Sequence, residues 1–233
     1  MGGARAPRHR PLEPVDVEVL KGLREHVYGR LRQAIISGQL RSGTMLNERQ
    51  IASQLGVSTT PLKEALRRLE TEGFVLTEPR RGVRVTFDAR QAEEMSLARA
   101  ALESMIARLA ASRIDDEALA ALEAIADGMR AATQSGDADR LIALNESFHD
   151  AIHDASRCRY LQRLLIGQVV YDQAARLFLL DDADERLRAL DEHLAILAAL
   201  SARDADGAEK AMRDHIVRSG RQHIQTAFAR REE

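Results

Sequence analysis

Apolar positions recur every three to four residues along most of this chain, a spacing that predicts helices almost throughout. The first runs from Val17 to Ser37, with Leu20, Leu23, Val27, Leu31 and Ile35 on one stripe, and Gly38 ends it. After a turn at Arg41-Ser42-Gly43, Asn47 is placed to cap a short helix reaching Gln54. Glu48 sits in its first turn, where a carboxylate complements the helix dipole. Gly56 breaks that helix and Ser58 caps the next, which tolerates Pro61 in its first turn, runs to about Thr71 and stops before Gly73. The period then shortens. Phe74–Thr77 and Val83–Thr86 read as two short strands around the turn Glu78-Pro79-Arg80-Arg81-Gly82. From Asp88 the helical spacing returns in six segments, at about 88–113, 115–134, 137–156, 158–180, 183–202 and 204–230. Their joints are short and polar, which implies antiparallel neighbours in a bundle.

Two helices meeting at a glycine, followed by a hairpin, are the pattern of a winged helix-turn-helix. The expected fold is therefore mainly α: an N-terminal winged helix with a small β-hairpin wing, then an antiparallel six-helix bundle. The expected domains are a disordered basic arm over 1–16, a DNA-binding domain over 17–87 and an all-helical domain over 88–233. No internal repeat is evident.

Composition agrees with a soluble, helical chain: 45% hydrophobic, 30% charged, only 3% aromatic and no Trp. The net charge of -2 hides an asymmetry. Residues 1–86 carry 15 Lys/Arg against 9 Asp/Glu, a net of +6, and the rest carry 19 against 27, a net of -8. A basic half joined to an acidic half suits a DNA-binding module fused to one that does not bind DNA. The single cysteine, Cys158, excludes an internal disulfide and a multi-cysteine zinc site, and it fits a reducing cytoplasm. No apolar run approaches the roughly 20 residues that cross a bilayer. The stretch from Gly2 to Pro14 lacks the apolar core of a secretory signal and reads as a solvated tail or a phosphate-touching arm.

The basic residues of the first half gather on two helices and the hairpin: Arg49, Lys63, Arg67, Arg68, Arg80, Arg81 and Arg84. Ser58, Thr59, Thr60 and Lys63, at the start of the second helix, would face base edges and phosphates of a double-stranded operator. Gly82 would let the wing bend close to the minor groove.

These residues carry a resemblance. Glu48-Arg49-Gln50-Ile51-Ala52, Gly56-Val57-Ser58, Thr60-Pro61-Leu62-Lys63-Glu64-Ala65-Leu66, Glu72-Gly73 and Arg81-Gly82 resemble the GntR family of bacterial transcription regulators. Thr59 stands where the family usually has an Arg that contacts guanine, and Lys63 replaces a second family Arg. Threonine cannot make the bidentate guanine contact, so the operator is expected to differ from the common half-site of relatives. Arg41 in place of the usual Pro before Gly43 reads as a turn variation.

In the second half, Asn145 and His149 share a helix face at i and i+4, His193 lies on the fifth bundle helix and His215 on the sixth. From spacing alone, three scattered helical histidines are more often surface or satisfied core residues than a site. The resemblance adds a reason to join them. Arg99-Ala100-Ala101-Leu102-Glu103, Asn145-Glu146-Ser147-Phe148-His149, Glu192-His193 and Met212-Arg213-Asp214-His215-Ile216 resemble the FCD ligand-binding domain of the FadR branch. Six helices imply its VanR-like subgroup. That resemblance implies a divalent metal, zinc or nickel, held by Asn145, His149, His193 and His215. It also implies a small organic acid effector paired with Arg99, while a winged helix that covers one half-site predicts a homodimer on paired half-sites. Asn145 replaces the Asp of many members, and an amide oxygen is the poorer metal ligand. His153, one turn beyond His149, lines the same cavity or sits on the helix surface. His9, His26 and His223 carry no argument.

The implied protein is a ligand-responsive repressor in which the effector shifts the two DNA-binding heads through the helix that follows the wing. Three other readings stand beside it. One is an acyl-CoA-type regulator without metal, and another a constitutive DNA-binding protein with a degenerate pocket. The third is a helical-bundle metalloenzyme, suggested by Glu146-Ser147-Phe148-His149 as a Glu-x-x-His element. That reading needs a second such element, and no other bundle helix has one. No catalytic residues are expected.

Overall fold

The computed structural model describes residues 17–166, 168, 176, 180 and 182–229. The arm expected over 1–16 lies outside them, as does most of the stretch 167–181.

The N-terminal unit comprises α1 (Val17–Ile36), β1 (Met45–Leu46), α2 (Glu48–Gln54), α3 (Thr59–Thr71), β2 (Val75–Glu78) and β3 (Gly82–Val85). The apolar stripe of α1 turns inward at Val27, Leu31 and Ile35, whereas Leu23 is 37% exposed. It meets Leu62, Ala65, Leu66 and Leu69 of α3 and the inward residues Val75, Val83 and Val85 of the sheet. Asn47 caps α2 as expected, its Oδ1 accepting from the Gln50 amide at 3.1 Å. Ser58 occupies the N-cap position of α3, but its hydroxyl makes no capping bond. The expected hairpin is present, shifted by one residue, with Glu78 opposite Gly82. Gly82 adopts φ +108, a conformation that side-chain-bearing residues rarely take. The strand β1 was not expected. It pairs antiparallel with β3, Met45 opposite Arg84, and gives the sheet the order β1-β3-β2. Two residues are too few for any periodicity to announce.

The bundle comprises α4 (Ala89–Arg113), α5 (Asp116–Ser135), α6 (Ala138–Ser156), α7 (Arg159–Leu165), α8 (Ala183–Ser201) and α9 (Ala205–Ala229). Asp88, Asp115, Asp137 and Asp182 cap four of them through side-chain oxygens, each cap contributing about 1 kcal/mol. The helix expected over 158–180 is not continuous. It stops at Leu165, where Ile166 leaves helical geometry at ψ 121, and most of the remainder lies outside the described residues. The helices α4 and α9 pack along each other, α6 lies against α4 and α5, and α8 lies against α5 and α9. Their core is built on Ile106, Leu122, Phe148, Ile152, Ile196, Leu200 and Met212. Among the described residues no helix is long and apolar enough to cross a membrane.

Candidate functional site

Two candidate sites result, one on the surface of the winged helix and one inside the bundle. On α3 the residues facing the core are Leu62, Ala65, Leu66 and Leu69, so the opposite face carries Thr59, Thr60, Lys63 and Arg67, all exposed. Ser58 at the start of α3 and Arg49 on α2 are exposed beside them, as are Arg80 and Arg81 in the wing turn. Lys63 Nζ lies 3.8 Å from Glu48 Oε2, a loose pair at an exposed site.

Two of the basic residues named from the sequence are committed elsewhere. The Arg68 guanidinium stacks on the Tyr28 ring at 3.6 Å and pairs with Glu25 and Glu72. Burial and a hydrogen bond to Glu72 push the Tyr28 phenol up to about 12, so it stays a donor. Arg84 holds Glu78 across the hairpin at 2.6 Å. Both arginines tie the head together instead of presenting themselves to a ligand.

In the bundle, tertiary packing brings the three histidines together. The rings of His149 (α6), His193 (α8) and His215 (α9) lie 4.5 to 5.7 Å apart between centroids. One ligand atom from each falls within 4.8 Å of the others. All three are buried, and burial first of all pushes their pKa values down, to about 4, 3 and 4 respectively. Neutral imidazoles are the form in which histidine ligates a metal.

The surrounding groups settle the tautomers. His193 Nδ1 donates to the Ala189 carbonyl at 2.6 Å, which leaves Nε2 as a lone pair. That Nε2 lies 3.0 Å from Asn145 Oδ1. Two acceptors facing each other are satisfied by a cation between them, or by an amide turned to present its Nδ2. His215 Nδ1 donates to Glu192 Oε2 at 2.8 Å, so its Nε2 is also a lone pair, and Arg218 holds Glu192 in turn. Neither ring nitrogen of His149 has a hydrogen-bond partner, although the residue is 5% exposed. Buried unsatisfied nitrogens are uncommon in folded proteins. The donor set and these unsatisfied atoms fit a divalent cation.

Arg99 lines the same cavity but is engaged. Its Nε and Nη2 donate to Glu103 Oε1 at 3.1 and 3.0 Å, inside the bundle. Glu103 Oε2 also lies 2.6 Å from His153 Nε2 and 3.8 Å from His149 Nδ1. Burial alone would raise the Glu103 carboxyl, but its contacts with the two histidines and Arg99 hold it well below the usual range. His153 therefore faces Glu103 and is absent from the lining of the triad cavity; it lines a neighbouring cavity with Arg99, Asn145 and His149. His223, given no role from the sequence, does line the triad cavity. Glu146 of the Glu-x-x-His pattern points outward to Arg176, at 3.2 Å, with its side chain 63% exposed.

Sequence reasoning missed Glu103, Glu192 and Arg218. The Arg99–Glu103 pair was readable from its i, i+4 spacing. The Glu192–His215 pairing joins two helices and had no local signal.

Comparison with known proteins adds a family. Residues 23–85 match the family described as bacterial regulatory proteins, gntR family, and residues 94–218 match the FCD domain. The uncharacterized HTH-type transcriptional regulator YdhC of Bacillus subtilis is 34% identical over 140 residues, 59% of this chain and 62% of that protein. The HTH-type transcriptional repressor RspR of Escherichia coli K12 is 28% identical over 207 residues, 88% of this chain and 87% of that one. The solved structure of E. coli McbR/YncC superposes with a TM-score of 0.62 at 26% identity, covering 89% of this chain and 98% of that one.

Proposed function

Because this chain belongs to the gntR family of bacterial regulatory proteins, with an FCD domain behind its winged helix, we propose that it is a metal-dependent, ligand-responsive repressor. It is a DNA-binding transcription regulator, and its families and relatives are regulators rather than enzymes. The printed name of RspR supports the repressor reading. A cytoplasmic location follows from that role.

The observation that carries the metal reading is His149, buried beside His193 and His215, with its Nδ1 3.8 Å from Glu103 and its Nε2 without a hydrogen bond. His149, His193, His215 and Asn145 would hold a divalent ion, and three imidazoles with an amide oxygen suit zinc or nickel. The ion supplies a positive anchor for an anionic effector. The Ala189 carbonyl and Glu192 orient two of the ligand rings, a role whose loss commonly costs 10–100-fold in metal affinity. Arg99 would pair with the effector carboxylate, sharing its guanidinium with Glu103. The cavity has a volume of about 70 Å³. That suits a small organic acid better than an acyl chain.

In the head, Thr59, Thr60 and Lys63 would reach base edges, with Arg49, Ser58 and Arg67 on phosphates and Arg80, Arg81 and Gly82 at the minor groove. The Ser58 hydroxyl leaves the first amides of α3 uncapped, which supports a phosphate at that terminus. A single winged helix covers one half-site, so a homodimer on paired half-sites gives the needed affinity.

The test is the metal content of untagged protein by mass spectrometry, with His149→Ala beside it. Near-stoichiometric metal, lost in the variant, is the expected result. No metal in either protein after incubation with zinc or nickel overturns the metal reading and leaves DNA binding intact. A monomeric mass at micromolar concentration overturns the dimer.

A further inference from the structure

We propose that α9 is a strut that couples the buried histidine site to the DNA-binding head through a docking contact made by Ile224 and Phe228. The proposal takes from the metal reading only what loads the site. The first end of the strut is in the bundle. His215, Arg218, Ser219 and His223 lie on successive turns of α9, and all line the triad cavity.

The second end is in the head. Ile224, 9% exposed, belongs to the same core as Val27, Leu62, Phe74 and Phe87. One turn further, the Phe228 ring lies 6.0 Å from Phe87. Phe87 stacks on Phe74 at 4.8 Å, and Phe74 follows the end of α3. His215 and Phe228 are thirteen positions apart on one helix, about 20 Å. Residues past 218 lie beyond the stretch that matches the FCD domain, so the docking contact falls outside that match.

The strut does not slide alone. At Gly220 α9 lies tightly against α4: a Cβ there would strike Ser96 Oγ and come within 3.3 Å of Ser96 Cβ. The N-terminal turns of α4 are also seated in the head. Ala92 is buried in its core, and Gln91 Nε2 donates to the Gly73 carbonyl at 2.7 Å. Close-packed helices pass a displacement on instead of absorbing it. A movement of His215 is thus carried by α9, with α4 held beside it, to the Phe87–Phe74 pair that follows α3. An occupant of the site shifts the head only as far as it favours one arrangement of this unit.

Hydrogen exchange of the full-length protein tests this, comparing wild type with an Ile224→Ala/Phe228→Ala variant, each with EDTA or with Zn(II). Zinc is expected to slow exchange at least threefold over residues 69–87 in wild type. In the double variant that effect disappears, while zinc protection around His149 and His193 persists. Phe228→Leu restores the transmission, and matching circular dichroism spectra confirm that the variants fold. Equal transmission in the double variant overturns the strut and assigns coupling to the Val85–Ala89 connection alone. Zinc protection confined to the bundle in wild type overturns it too. If zinc changes nothing anywhere, the metal reading fails separately and the EDTA samples decide. Exchange over 69–87 at least tenfold faster in the double variant upholds the docking contact, and unchanged exchange overturns it.

Discussion

The winged helix hides carbon and displays its charges, whereas the bundle hides its chemistry. In the head, the core from Val27 to Phe87 is almost wholly apolar, and Thr59, Lys63, Arg67, Arg80 and Arg81 stand outside it. In the bundle, Arg99, Glu103, His149, Glu185, His193 and His215 are all buried. Burial of ionisable groups is costly unless they are paired. The bundle meets that cost with the Arg99–Glu103–His153 and Arg218–Glu192–His215 chains, but not at His149. The contrast suits two tasks: a polyanion too large to enclose is met on a surface, and a small ligand is met in an interior.

The largest expected effect separates the two cores by pH. In EDTA-treated protein the three triad histidines have folded pKa values of about 4, 3 and 4, below the ordinary value near 6.5. Between those limits the unfolded chain binds protons that the folded chain does not. Stability is then full above about pH 6.5 and falls as pH drops toward 4, by on the order of 5 kcal/mol. Urea unfolding from pH 7 to 4.5 should show this slope, and His193→Leu should reduce it by about a third. A flat wild-type profile would contradict the buried neutral cluster.

The head should respond to apolar truncation instead. Leu62→Ala removes a fully buried side chain and should cost about 2–5 kcal/mol, read from the denaturant midpoint. Retained wild-type stability would mean that α3 is not held as described.

The surface predictions are smaller. Lys63→Ala should weaken operator binding about tenfold, and selection from random sequences should show changed preference at one position. Uniform weakening across all sequences would move Lys63 to the phosphate backbone. Arg68→Ala should leave operator affinity within about twofold and lower stability by about 1 kcal/mol, since its guanidinium serves Tyr28, Glu25 and Glu72. A tenfold loss of DNA binding with unchanged stability would return Arg68 to the contact face.

Legibility followed the range of the interactions involved. The periodic stripes of α3 and α6, the aspartate caps and the Gly82 turn are local, and each was readable within a few residues of chain. The strand β1 escaped because two residues carry no period, and its partner β3 is some forty positions away. Likewise, Arg68 and Lys63 are both cationic residues of one helix. Only their angle to α1 turns Arg68 onto Tyr28 and leaves Lys63 outward.

The sequence by itself determined most of the elements, their order, the family and the residue types at each site, because those depend on short-range spacing and on motifs contiguous in the chain. Only the tertiary structure decided that three imidazoles from three helices converge within 4.8 Å, that Glu103 engages Arg99, and that the end of α9 packs into the core of the head with Phe228 beside Phe87. Those outcomes rest on how helices cross and which atoms remain unpaired when water is excluded, properties no local stretch of sequence possesses.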